Sequence, residues 1–236
     1  MRTIATGAVL ISSLFFPSLS IAGGQADPLA YATTASQFGV VDLLTGVFTQ
    51  RGTLGVTLSG LGEVGGKLYG GGYRSPTLYG VNPSTGALTS IGSTSFSYFG
   101  TGSTNHGLFA LDTIMNLYSI NPKTGAATLV GFTGLTVGPG GMSTGSDTLY
   151  ITDNFSLYSI DTTTGAATLI GTSPSGLFVP TVVLKGTYKG GDVMFAGADS
   201  PPAIWIVNFT DGVGSFVADT TGANGHFYGL APTPGE

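Results

Sequence analysis

The chain offers little to reactive chemistry. Its 236 residues include two histidines, twelve Asp or Glu, seven Lys or Arg and no cysteine. Zinc centres draw on several His or Cys ligands, so no metal site is expected from His106 and His226. The turn "DTTTG" at 161–165 offers oxygens to calcium. A calcium loop concentrates several carboxylates, however, and related turns carry Asn82, Asn121 and Asn208 where this one carries Asp161. A backbone turn is the expected role. The remaining candidates are Tyr73, Arg74, Asp112, Asp153, Asn154 and Asp199, each just beyond a short apolar run. If these gather, they suit cation-assisted or hydrogen-bonded capture of a ligand better than proton shuttling. No catalytic residue and no cofactor is expected. Whether the six meet depends on the elements that carry them.

Those elements repeat. "LYSINPKTGAATLVG" at 117–131 returns as "LYSIDTTTGAATLIG" at 157–171, and weaker copies bring the count to five. The turn glycines are Gly46, Gly86, Gly125, Gly165 and Gly212, at spacings of 40, 39, 40 and 47. Four residues before each stands Asp or Asn. Six after, the first four copies have glycine again (Gly52, Gly92, Gly131, Gly171) and the fifth has Ala218. An Asx residue that bonds the backbone two residues on, followed by a glycine free to take positive φ, is the chemistry of a hairpin.

One strand precedes each turn (38–41, 78–81, 117–120, 157–160, 204–207) and one follows it. A further strand comes before, as in "LFALD" and "LYITD", and glycine-rich segments precede that. Both faces of these strands are apolar or small, the pattern of a sheet covered on both sides. Four antiparallel strands per forty-residue unit, repeated five times, predict an all-β, five-bladed β-propeller. Joined head to tail, "GLAPTPGE" at the C-terminus and "DPLAYATT" at 27–34 align with "GLGEVGGKLYGGG" at 60–72, so the last strand is expected to complete the N-terminal blade and remove its open edge.

The first 22 residues read as a signal peptide and 23–236 as the propeller. Met1 and Arg2 precede an apolar run at 4–16, and Ser20 and Ala22 occupy the −3 and −1 positions of a cleavage site. A secreted chain follows, bound for an extracellular or periplasmic location, monomeric and with no membrane insertion after cleavage. Charged residues are 8% of the chain and the net charge is −5. That argues against nucleic acid and anionic membrane surfaces as partners.

The "LYSIDxxTGAATLIG" phrase, the signal peptide and the absence of cysteine together resemble exported bacterial propeller proteins of the PEP-CTERM-associated type. The resemblance implies the fold and an exported setting, and supplies no catalytic residues. This sequence ends "APTPGE" without the hydrophobic sorting tail, so free release stands beside surface attachment as an expectation.

Glycosidases on five blades need paired acids around the axis. The innermost strands are expected near 56–63, 95–103, 137–145, 179–186 and 227–232, which hold one acid, Glu63. The leading expectation is therefore a non-catalytic binding or cell-envelope interaction module whose ligand is a protein or carbohydrate. Its alternatives are a hydrolase with a loop-built, calcium-assisted upper-face site, and a lectin-like carbohydrate binder. The loops differ between repeats ("YRSP", "DTIM", "DNFS", "DSPP"), which disfavours five equivalent sugar sites. The six candidates are predicted to form a broken ring on one face, because loops on a rigid scaffold carry binding residues.

Overall fold

A computed structural model describes residues 29–136, 141–144, 146–153, 156–172, 180–188, 191–199, 202–208 and 211–233. The predicted signal peptide, Asn154 and the inter-blade segments 137–140 and 173–179 lie outside these residues.

Blade 1 contains β1 (Leu29–Thr33), β2 (Gln37–Asp42) and β3 (Phe48–Thr53). Blade 2 runs β4 (Gly62–Val64), β5 (Lys67–Gly71), β6 (Thr77–Val81) and β7 (Leu88–Ser93). Blade 3 is β8 (Gly100–Thr104), β9 (Gly107–Leu111), β10 (Asn116–Ile120) and β11 (Ala127–Phe132). Blade 4 is β12 (Gly141–Thr144), β13 (Leu149–Thr152), β14 (Ser156–Ile160) and β15 (Ala167–Thr172). Blade 5 is β16 (Pro180–Tyr188), β17 (Gly191–Asp199), β18 (Pro202–Asn208) and β19 (Gly214–Asp219). The last strand, β20 (Gly229–Pro232), pairs antiparallel with β1 and completes blade 1. The chain is a five-bladed propeller closed as the sequence predicts.

The outer hairpins follow from the repeated phrase. Asp42, Asn82, Asn121 and Asp161 each accept, at Oδ1, the backbone N–H two residues on, at 2.8–2.9 Å. The turn glycines then take positive φ, 73° at Gly125 and 85° at Gly165. Every blade also carries a bulge just before the second glycine position. In blade 1, Phe38 opposes Gly52 and Gly39 opposes Gln50, which leaves Arg51 as the extra residue. The same slip occurs in the other four blades, where the extra residue is Ile91, Val130, Ile170 or Val217, packed against the core. A bulge bends and twists the outer strand locally. Arg51 instead reaches out, donating to the Pro83 carbonyl of blade 2 at 3.2 Å.

Blade 1 breaks the phrase a second time. Gly39 replaces the aromatic seen at Tyr79, Tyr118, Tyr158 and Trp205. The reason lies across the hairpin. Phe48 stands where other blades have Leu88, Ala127, Ala167 or Gly214, and a Cβ on Gly39 would lie 2.6 Å from its ring. The aromatic mass has moved from the third strand to the fourth. It still fills the junction between blades, packing with Phe227, Phe195 and Ile204 between blades 1 and 5.

At the axis the inner strands approach closely, because they are built from Gly, Ser and Thr. Ser103 Oγ accepts the Glu63 N–H at 2.9 Å, and the Ser59 and Thr101 hydroxyls meet at 2.8 Å. The Thr144 hydroxyl of blade 4 donates to the Leu61 carbonyl of blade 2, spanning the axis. β12 and β16 pair in parallel, joining blades 4 and 5 into one eight-stranded sheet. At the level of Thr144 and Leu61 the centre is a packed plug. Blade 2's inner strand is shorter than the expected 56–63. Leu58 and Leu61 turn into the core, and Leu58 touches the sheet only through an isolated bridge to Gly72.

Candidate functional site: an aromatic cluster on the upper face

Antiparallel pairing fixes which loops share a face. The loops between second and third strands and the connections between blades lie on one face, here called upper. The outer turns and the hairpins between first and second strands lie on the other.

On the upper face, the loop after β5 is stitched to the chain entering its own blade 2 and to the chain entering blade 3. Tyr73 N–H donates to the Thr57 carbonyl at 2.8 Å, Arg74 N–H to the Tyr98 carbonyl at 2.9 Å, and Tyr98 N–H to the Ser75 carbonyl at 3.0 Å. The stretch entering blade 3 bends at Phe99, which turns successive side chains to different sides. Tyr98 is fully buried and Phe99 is half-buried. The chain entering β20 does the same, with Phe227 buried and Tyr228 turned up.

Three blades thereby deliver rings to one spot. Tyr73 lies 6.3 Å from Phe99 and 5.9 Å, edge-on, from Tyr228. His226 lies 4.4 Å from Tyr228, tilted by 36°. The Arg74 guanidinium sits 5.4 Å from the Tyr73 centroid, and its backbone has φ 54°, left-handed for a residue with a side chain. Such geometry costs roughly 1–2 kcal/mol, and it persists here because backbone hydrogen bonds hold the loop. Tyr73, Phe99, His226 and Tyr228 are half-buried and Arg74 is exposed. A half-buried aromatic cluster with one cation over its Tyr73 ring suits a ligand with a flat apolar face and polar groups on its rim.

The other candidates are placed differently. Asp112 is buried at the end of β9, where its carboxylate accepts the N–H groups of Ile114 and Asn116, the Asn116 amide and the Tyr118 hydroxyl. Asp153, also buried, accepts the Ser156 N–H at 2.6 Å and the Tyr158 hydroxyl at 2.9 Å. Burial raises both phenols above the usual tyrosine range, and the adjacent carboxylates add to that rise. The two acids clamp their own hairpins. Asp199 ends β17, its backbone opposite Pro202. Of the candidates whose side chains are described, Tyr73, Arg74, Asp112 and Asp153, the structure brings Tyr73 and Arg74 together and adds Phe99, His226 and Tyr228. A readable signal for the additions existed: an aromatic pair before a glycine occurs as "YFG" at 98–100 and "FYG" at 227–229.

Elsewhere, His106 lies 3.6 Å from Asp147 on the lower face, which also binds the Asn105 amide. Among the described residues no three His, Asp or Glu side chains converge. A groove of about 450 Å³ on blade 1 is lined by Leu29, Val40, Asp42, Thr45, Val47, Thr49 and Arg51. Its Asp42 Oδ1 accepts the N–H groups of Leu44 and Thr45, and its Arg51 lies over Tyr31 at 5.7 Å. No described helix is long and apolar enough to cross a membrane.

The fold is similar to that of a chain in the crystal structure of a nidogen/laminin complex, with a TM-score of 0.58 and 13% identity over 87% of this chain and 81% of that one. It is also similar to a protein of unknown function from Bacteroides thetaiotaomicron VPI-5482 (TM-score 0.54, 17% identity, 77% of this chain). That match covers 52% of the Bacteroides chain. At these identities the likeness concerns the fold. No family model and no curated protein matches the sequence.

Proposed function

We propose that the protein is an exported, non-catalytic binding module that seats its carbohydrate or protein ligand on the upper-face cluster of Tyr73, Phe99, His226 and Tyr228. The carrying observation is that three separate blades converge their rings there beside a strained, exposed arginine. The upper-face acids Asp112 and Asp153 are committed to hairpins, which favours binding over acid–base chemistry. The exported setting rests on the leader-like 1–22 and on the resemblance of the repeats to PEP-CTERM-associated propellers. Mature protein beginning at Gly23 in the extracellular or periplasmic fraction is its check.

The binding reading is tested with purified protein against a panel of oligosaccharides and solubilised envelope proteins. Wild type should retain at least one component, and a Tyr73→Ala, Tyr228→Ala double variant that still folds should lose it. Equal retention by both would remove the cluster from the account.

A further inference from the structure

Resting on that binding reading, we propose that the cluster selects an acidic saccharide, a uronate-type ring seated beside Tyr73 on the aromatic cluster with its carboxylate held by Arg74. Of the Lys and Arg residues described, Arg74 is the one carried by an upper-face loop. Lys67 opens β5 on the lower side, Lys123 lies in the β10–β11 turn, and Arg51 and Lys185 fall within β3 and β16. Among the described residues the Arg74 guanidinium pairs with no carboxylate. Its planar fork of donors matches a carboxylate in a way an ammonium does not. It is fixed against the Tyr73 ring at 5.4 Å, so it is held in place before a ligand arrives.

The backbone presents that side chain outward. The equivalent loop of blade 3 holds Met115 at φ 68°, so the left-handed position belongs to the loop, and glycine would fill it without strain. In blade 3 the position carries a buried methionine, whereas blade 2 places an exposed arginine there, beside the aromatic cluster. A pyranose complements what is there. Its C–H face covers a tyrosine ring and removes apolar surface from water, while an equatorial carboxylate projects from the ring edge toward the arginine.

Calorimetry with the full mature chain tests this, using trigalacturonate and neutral galactotriose as probes. The acidic sugar should bind roughly 10-fold tighter or more, since one charge-assisted pair separates the two, and added salt should narrow the gap. Arg74→Gln should erase the difference, and Tyr73→Ala should weaken both sugars. Arg74→Gly should erase the preference while raising Tm, a combination that a purely structural arginine would not give. Equal affinities that Arg74→Gln leaves unchanged overturn the acidic-ligand inference while the binding reading stands. If neither sugar binds, the saccharide class is overturned, and the panel above decides separately whether the cluster binds a protein.

Discussion

A methyl group placed on Gly131 of blade 3 would fall 2.0 Å from the carbonyl oxygen of Thr164 in the turn of blade 4. Gly52, Gly92 and Gly171 stand in the same relation to Thr85, Thr124 and Asp211 of the following blades, at 1.8–2.1 Å. The second glycine of the phrase is therefore an inter-blade contact rather than part of its own turn. At the ring's closure the arrangement changes. Ala218 replaces that glycine, and Val47 and Thr221 join blades 1 and 5 through a backbone bridge.

Gly131→Ala should accordingly destabilise by about 2 kcal/mol or more, because the obstacle is backbone and the blades must separate. Gly55→Ala meets nothing within 4 Å and should stay within about 0.5 kcal/mol. Urea unfolding of the pair provides the comparison. Similar losses for both would show that the junctions tolerate a side chain.

Asp161 separates turn from metal. Its carboxyl is held below the usual range, first by the Thr163 backbone N–H and then by the Thr164 hydroxyl. A depressed folded value means that its stabilisation is present above the ordinary carboxylate range and is lost as pH falls through the folded value. Asp161→Asn should keep neutral-pH stability, since Asn82 and Asn121 serve the same turn, while losing that acid-side dependence. Asp161→Ala should lose the turn contact. Thermal melts with a chelator should be unchanged for wild type, and a drop on chelation that Asp161→Ala abolishes would mean a bound cation.

Asp112 should matter through structure. Removing its buried carboxylate strands the Tyr118 hydroxyl and two backbone N–H groups, so Asp112→Ala is expected to cost about 2–3 kcal/mol. Asp112→Asn should cost less, because it keeps an acceptor at each oxygen position but one. Binding by folded Asp112→Asn should match wild type, and a selective loss of binding would return Asp112 to the site.

Burial pushes Tyr98 up to about 12, and its hydroxyl finds no hydrogen-bond partner among the described residues. The folded state thus holds its proton where the unfolded state releases it. This contribution is complete below about pH 10, the ordinary tyrosine value, and is lost as pH rises through the folded value. Melting temperature should fall across that window, and less steeply for Tyr98→Phe. An identical slope in both would place the alkaline sensitivity elsewhere.

The propeller was legible because each blade needs one left-handed turn, and glycine after Asx marks it every forty residues or so. Closure was legible because the β20 residues "GLAP", joined head to tail with the N-terminal strand, echo "GLGE" at 60–63 ahead of β5. The inner strands were not, since glycine-rich runs carry no period and Leu58 and Leu61 turn into the core before β4 begins. Asp112 and Asp153 looked like loop charges because their partners, Tyr118 and Tyr158, stand five or six residues on across a strand reversal. Phe99, His226 and Tyr228 were hidden for another reason. Phe99 and Tyr228 enter the innermost strands of blades 3 and 1, whereas Tyr73 stands in the loop after β5 of blade 2, and a repeat-based reading compares equivalent positions only.

Amide hydrogen exchange of the wild-type chain, with and without a saturating mixed oligosaccharide hydrolysate and with any protein captured by the panel, tests the central claim most directly. Protection should rise at 72–76, 96–99 and 226–229 together, leaving the outer turns around Gly125 and Gly165 unchanged. Protection confined to the outer turns or the lower face, with those three segments unaffected, would contradict an upper-face aromatic binding site.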